Sequence, residues 1–86
     1  MAVYHVSVTI ENKHGINDPE GQTILDDLVI RSGATNVSKV RTAKMLRFTV
    51  RDSSKKSAKE RIKKICDDLR IYNPLVSKVT LTVSTV

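Results

Sequence analysis

At 86 residues, 40% hydrophobic and 28% charged, the chain has the size and balance of one small globular domain (residues 1–86), with too little core for comfortable stability alone. No apolar run is long enough to span a bilayer, and the lone cysteine, Cys66, excludes an internal disulfide, so a cytoplasmic protein that makes no membrane contact is expected. The formal net charge of +6 leaves polyanion binding open, and oligomerisation would be a natural way for so short a chain to bury more apolar surface.

From Val3 to Glu11, Tyr4, Val6, Val8 and Ile10 alternate with His5, Ser7, Thr9 and Glu11, the period-two pattern of a half-buried strand. The stretch Lys13 to Ile24 then joins strand to helix in punctuation residues. Asp18 suits an N-cap, Pro19 the first helical position and Glu20 the positive end of the helix dipole. Ile24, Leu25, Leu28 and Val29 recur at helical spacing, which predicts a first helix over residues 19–32 stopped by Gly33.

A second strand is predicted over residues 37–44, bulged near Ser38-Lys39 because Val37 and Val40 fall out of alternation. A hairpin turn at Thr42-Ala43 would lead into a third strand over 45–51, with Leu46, Phe48 and Val50 inward and Arg47, Thr49 and Arg51 outward. A second helix follows the Asp52-Ser53-Ser54 break and extends to about residue 71. Either Ser54 or the capping box Ser57 to Glu60 would start it, and Asn73-Pro74 would end it. Its apolar stripe is Ala58, Ile62, Ile65, Cys66 and Leu69. The last strand covers 76–84, with Val79, Leu81 and Val83 inward. The resulting βαββαβ order predicts an α+β, ferredoxin-like sandwich: a four-stranded antiparallel sheet with both helices on one face.

Catalytic groups do not assemble. His5, His14 and Cys66 match no metal spacing, and a thiol in an apolar stripe is an inert core residue. The neighbouring acids Asp26-Asp27 and Asp67-Asp68 point in different directions around a helix. No glycine-rich phosphate loop of the Walker or dinucleotide type is present, so neither catalytic nor metal residues are assigned. Residues 55–64 hold six cations against one acid, a net +5, which fits either a solvated helix face or a polyanion site. RNA-recognition domains share the βαββαβ order, but Tyr4 and Phe48 lie on core-facing sides and leave no aromatic for base stacking.

The sequence resembles the PurS family, the small subunit of phosphoribosylformylglycinamidine synthase of purine biosynthesis. The likeness runs from about Val6 to Val76. It rests on the valine-rich first strand, Lys13 with Gly15-Ile16, and the Asp18-Pro19-Glu20-Gly21 segment. Further along it rests on Gly33 before Val37, Val40-Arg41, Lys44, the apolar stretch around Cys66, and Asn73-Pro74. The family usually has glycine before that lysine where Ala43 stands here, which would strain a hairpin that needs positive φ.

The resemblance implies a non-catalytic adaptor that forms a homodimer or tetramer and bridges a glutaminase subunit and a large synthetase subunit for ammonia transfer. It implies that this chain binds no cofactor, with ATP, magnesium and glutamine handled by the partners, and that nucleic acid is not a ligand. Lys13, Gly15, Asp18, Pro19, Glu20 and Gly21 would form one subunit-contact loop, and Arg41 and Lys44 a second. A small basic RNA- or metabolite-binding domain is the alternative.

Overall fold

The alternating N-terminal run forms strand β1 (Ala2–Asn12), which becomes the centre of the sheet in the computed structural model, where residues 1–86 are described. After it come helix α1 (Pro19–Thr23, continued as a wider π-helical stretch Ile24–Val29), β2 (Ala43–Asp52), α2 (Lys55–Asp68) and β3 (Ser77–Thr85). Both outer strands pair antiparallel with β1, giving the order β2-β1-β3. Tyr4 stands opposite Val50, Val6 between Phe48 and Val83, and Val8 between Leu46 and Leu81, so one face is continuously apolar. The other face carries His5, Ser7 and Thr9 flanked by Arg47, Thr49, Thr80 and Thr82, as the alternation predicts.

The class is α+β, but the sheet has three strands rather than four, and the order is βαβαβ. Residues 37–42 make no ladder. Val37 and Val40, three apart, cannot share one face of a strand, and the backbone of this segment is committed to α1 instead. The Thr42 amide donates to the Asp18 carboxylate, and the Val40 carbonyl lies against Gly21. With no second strand there is no hairpin at Thr42-Ala43. Ala43 opens β2 without positive φ, a conformation that Arg70 alone adopts among non-glycine residues, so the feared strain does not arise.

The two helices do not share one core either. α2 lies across all three strands, whereas α1 packs on none of them. Ala58, Ile62 and Cys66 of α2 bury against Tyr4, Val6 and Val8. Ile65 and Leu69, expected in the same stripe, stay on an open flank, with Leu69 70% exposed. On α1 only Leu25 is buried from the predicted stripe, and Leu28 is 65% exposed. The chain is accordingly long and thin, 51 × 28 × 14 Å.

Of the two possible starts for α2, Ser54 is the cap: its hydroxyl accepts from the Ser57 amide at 3.1 Å. The helix ends at Asp68, well before Pro74. The Ile71 amide donates to the Cys66 carbonyl (3.0 Å) and the Arg70 amide to the Asp67 carbonyl (3.3 Å), the Schellman pattern, with Arg70 at φ 51°. Arginine thus occupies a left-handed position where glycine is unstrained. Asp52, nearly fully buried at the end of β2, is satisfied by the Arg61 Nε (2.7 Å) and the Ser53 amide (2.7 Å), and these partners pull its pKa down to about 2. Replacing Arg70 by Gly should relieve the left-handed strain and stabilise the fold by about 1 kcal/mol, raising the melting temperature by about 4–8 °C in a calorimetric scan. An unchanged or lower melting temperature would show that the Arg70 side chain offsets its backbone cost.

Candidate functional site

The turn from β1 into α1 and the segment 39–42 are far apart in sequence and meet at one end of the sheet. The turn begins where the Ile16 amide donates to the Lys13 carbonyl at 2.9 Å, with Gly15 at φ 91°. Asp18 then caps α1: its Oδ1 accepts from the Gly21 amide at 3.0 Å. The same carboxylate accepts from both the Thr42 amide and the Thr42 hydroxyl, the latter at 2.8 Å. Those Thr42 and Gly21 donors, helped by the Arg41 charge, hold the Asp18 carboxyl below its ordinary pKa. Arg41 works in the opposite direction across the gap. Its Nη1 donates to the Ile16 carbonyl (2.9 Å) and its Nη2 to the Asn12 carbonyl (3.0 Å) and the Lys13 carbonyl (3.3 Å).

The two groups of predicted contact residues are therefore one structural unit. Asp18, Gly21 and Arg41 hold it together; Gly15 shapes the turn and Pro19 starts the helix. Lys13, Glu20 and Lys44 are exposed. Glu20 and Lys44 line a common cleft on the inner sheet face with Ile10, Thr42, Ile71 and Tyr72. Thr42 and Val40 read from the sequence as turn and strand residues with no link to α1, because no local pattern ties a hydroxyl or a carbonyl to a helix start about twenty residues earlier. Gly21 did carry a signal, since an interior helix glycine marks a close backbone approach.

Three of the six cations in residues 55–64 are neutralised: Lys63 by Asp67 at 3.0 Å, Lys64 by Asp68 at 2.8 Å and Arg61 by Asp52. The Tyr72 hydroxyl also donates to Asp67, which pushes the Tyr72 pKa up to about 12 and pins the chain after α2 to its last turn. Burial raises the pKa of the Cys66 thiol, the condition of an unreactive core cysteine. No group of three or more His, Cys, Asp or Glu side chains could hold a metal ion, and no helix is long and apolar enough to cross a membrane. What the arrangement offers chemically is a polar surface tied together by its own hydrogen bonds.

A Cβ placed on Gly21 would lie 2.2 Å from the Val40 carbonyl oxygen, which is backbone and cannot step aside cheaply. Gly21→Ala should therefore destabilise the chain by about 2 kcal/mol in denaturant unfolding, with amide shifts centred on residues 39–42. Gly15→Ala meets no neighbour and should cost only its backbone strain, about 1 kcal/mol.

The PurS family model, described as phosphoribosylformylglycinamidine (FGAM) synthase, matches residues 5–85. The phosphoribosylformylglycinamidine synthase subunit PurS of Archaeoglobus fulgidus is 35% identical over 74 residues, 86% of this chain and 90% of that protein. The crystal structure of PurS from Methanocaldococcus jannaschii, one of the subunits of formylglycinamide ribonucleotide amidotransferase, superposes with a TM-score of 0.82. Its sequence is 28% identical, and the match covers 96% of this chain and 98% of that one. The PurLQS structure from Thermotoga maritima contains the same fold at a TM-score of 0.78 and 24% identity, with full coverage of both chains. Matched along nearly its whole length in sequence and in backbone, this chain belongs to the PurS family.

Proposed function

We propose that the chain is the non-catalytic small subunit of phosphoribosylformylglycinamidine synthase, a cytoplasmic adaptor that bridges a glutaminase subunit and a large synthetase subunit. In that complex ATP, magnesium, glutamine and the formylglycinamide ribonucleotide are handled by the larger subunits. This chain fixes their two active sites in register, so that ammonia released at one reaches the other. The observation that carries the reading is the unfinished core. Only 9 of 86 residues are buried, and the radius of gyration is 16.6 Å, against about 12 Å for a compact chain of this length. Leu28 on α1 and Ile65 and Leu69 on α2 are apolar surface that one copy cannot cover. A homodimer, alone or doubled to a tetramer, would cover it.

Lys13, Glu20 and Lys44 are the contact side chains that folding leaves free, with the Asp18, Gly21 and Arg41 network as their support. The alternative, RNA binding through α2, is disfavoured by the pairing of half its cations and by the absence of any Tyr or Phe on the outer sheet face.

Two outcomes test the reading. Leu28→Glu should shift the chain from dimer or tetramer towards monomer in sedimentation velocity, at an unchanged helix content. A wild-type chain that sediments as a monomer would remove the premise. In reconstitution with the glutaminase and synthetase subunits, Lys13→Glu with Lys44→Glu should weaken assembly about tenfold. Reversal of the unpaired Lys55, Lys56 and Lys59 should leave glutamine-dependent synthesis intact. The opposite ranking, or turnover by the purified chain alone, would reject the adaptor.

A further inference from the structure

One concentration of charge lies outside both the contact loop's free side chains and α2. Glu11, Asn12, His14, Lys39, Arg41 and Lys78 line a notch of about 240 Å³ that has no apolar side chain in its wall. Glu11 and Lys78 face each other across β1 and β3 at the outer-face end of the sheet. Lys39 and Arg41 come from the irregular segment before β2, and His14 from the turn after β1. None of these residues takes part in the three ion pairs of the chain. In the wall three basic side chains stand against one carboxylate, a net +2, with the Asp18 carboxylate near Arg41 outside it, and His14 adds a ring nitrogen. The carbonyls of Asn12, Lys13 and Ile16 orient the Arg41 guanidinium without cancelling its charge.

We infer that this notch binds a compact phosphate dianion, either inorganic phosphate or the phosphate end of a nucleoside monophosphate. The basic residues of the wall come from three chain segments around one notch, unlike the row along α2, so they match a point-like anion better than an extended polymer. The notch is smaller than the roughly 300–1,000 Å³ of sites that enclose whole drug-sized ligands, so only the anionic group would be held inside. This inference does not depend on the subunit reading.

The test is a titration of the full-length chain with inorganic phosphate at constant ionic strength, chloride making up the difference, followed by amide NMR. Saturable shifts are expected at residues 11–14, 39–41 and 78. Lys39→Ala with Lys78→Ala should weaken binding at least about tenfold, while Lys56→Ala with Lys59→Ala leaves it within about twofold. Adenosine monophosphate in a second arm separates the sources: affinity equal to phosphate assigns the free ion, tighter binding the ester. Non-saturating shifts, or equal losses in both variant pairs, would overturn the site. So would saturation by a glutamate-rich peptide where phosphate fails, which would reassign the notch to a protein partner. Unimpaired assembly of the Lys39/Lys78 variant with the larger subunits keeps the two proposals apart.

Discussion

A single carboxylate ties α1 to the segment before β2. Asp18 caps α1 through the Gly21 amide and grips Thr42 through that residue's amide and hydroxyl. Because α1 packs on no strand, its position depends on this grip and on the contact of Gly21 with the Val40 backbone. Arg41 reinforces the joint by collecting three carbonyls from the end of β1 and the following turn. Charge-assisted hydrogen bonds of this kind are directional. They can therefore hold a helix out from a sheet, where non-directional apolar packing would draw it in.

The consequence is a fold with half its sandwich missing. α2 covers one part of the apolar sheet face and leaves its own flank, through Ile65 and Leu69, without a neighbour. A chain of this length has little margin for such exposure, since its stability is a small difference between large terms. Membership of a family of enzyme-complex subunits gives that exposure a purpose: surface that one copy cannot bury is surface available for assembly.

Charge is organised with the same economy. The strongly basic second helix has half its cations in ion pairs with Asp52, Asp67 and Asp68, so half of its apparent attraction for polyanions is balanced within the chain. The cations of the outer-face notch make no close ion pair, and they are spread over segments too distant for a sequence window to group.

The sequence by itself determined the local elements: the period-two strands, the Asp18-Pro19 helix start, the amphipathic second helix and the outward row of His5, Ser7, Thr9, Arg47 and Thr49. These follow from nearest-neighbour chemistry, in which caps, periodicity and breakers act within a few residues. The family resemblance was legible too, because it rests on an ordered set of such local words. What only the tertiary structure decided was everything that depends on distant partners. Residues 37–42 gave up a strand to serve Asp18, and α2 ended at a left-handed Arg70 rather than at Asn73-Pro74. α1 left the sheet, and the two segments expected to make subunit contacts came together through Arg41. The first and last of these turn on a backbone amide or carbonyl taking a remote side chain as its partner, whereas α2 is closed by its own main chain through the Ile71 amide on the Cys66 carbonyl; the residue order alone does not encode that choice of partner.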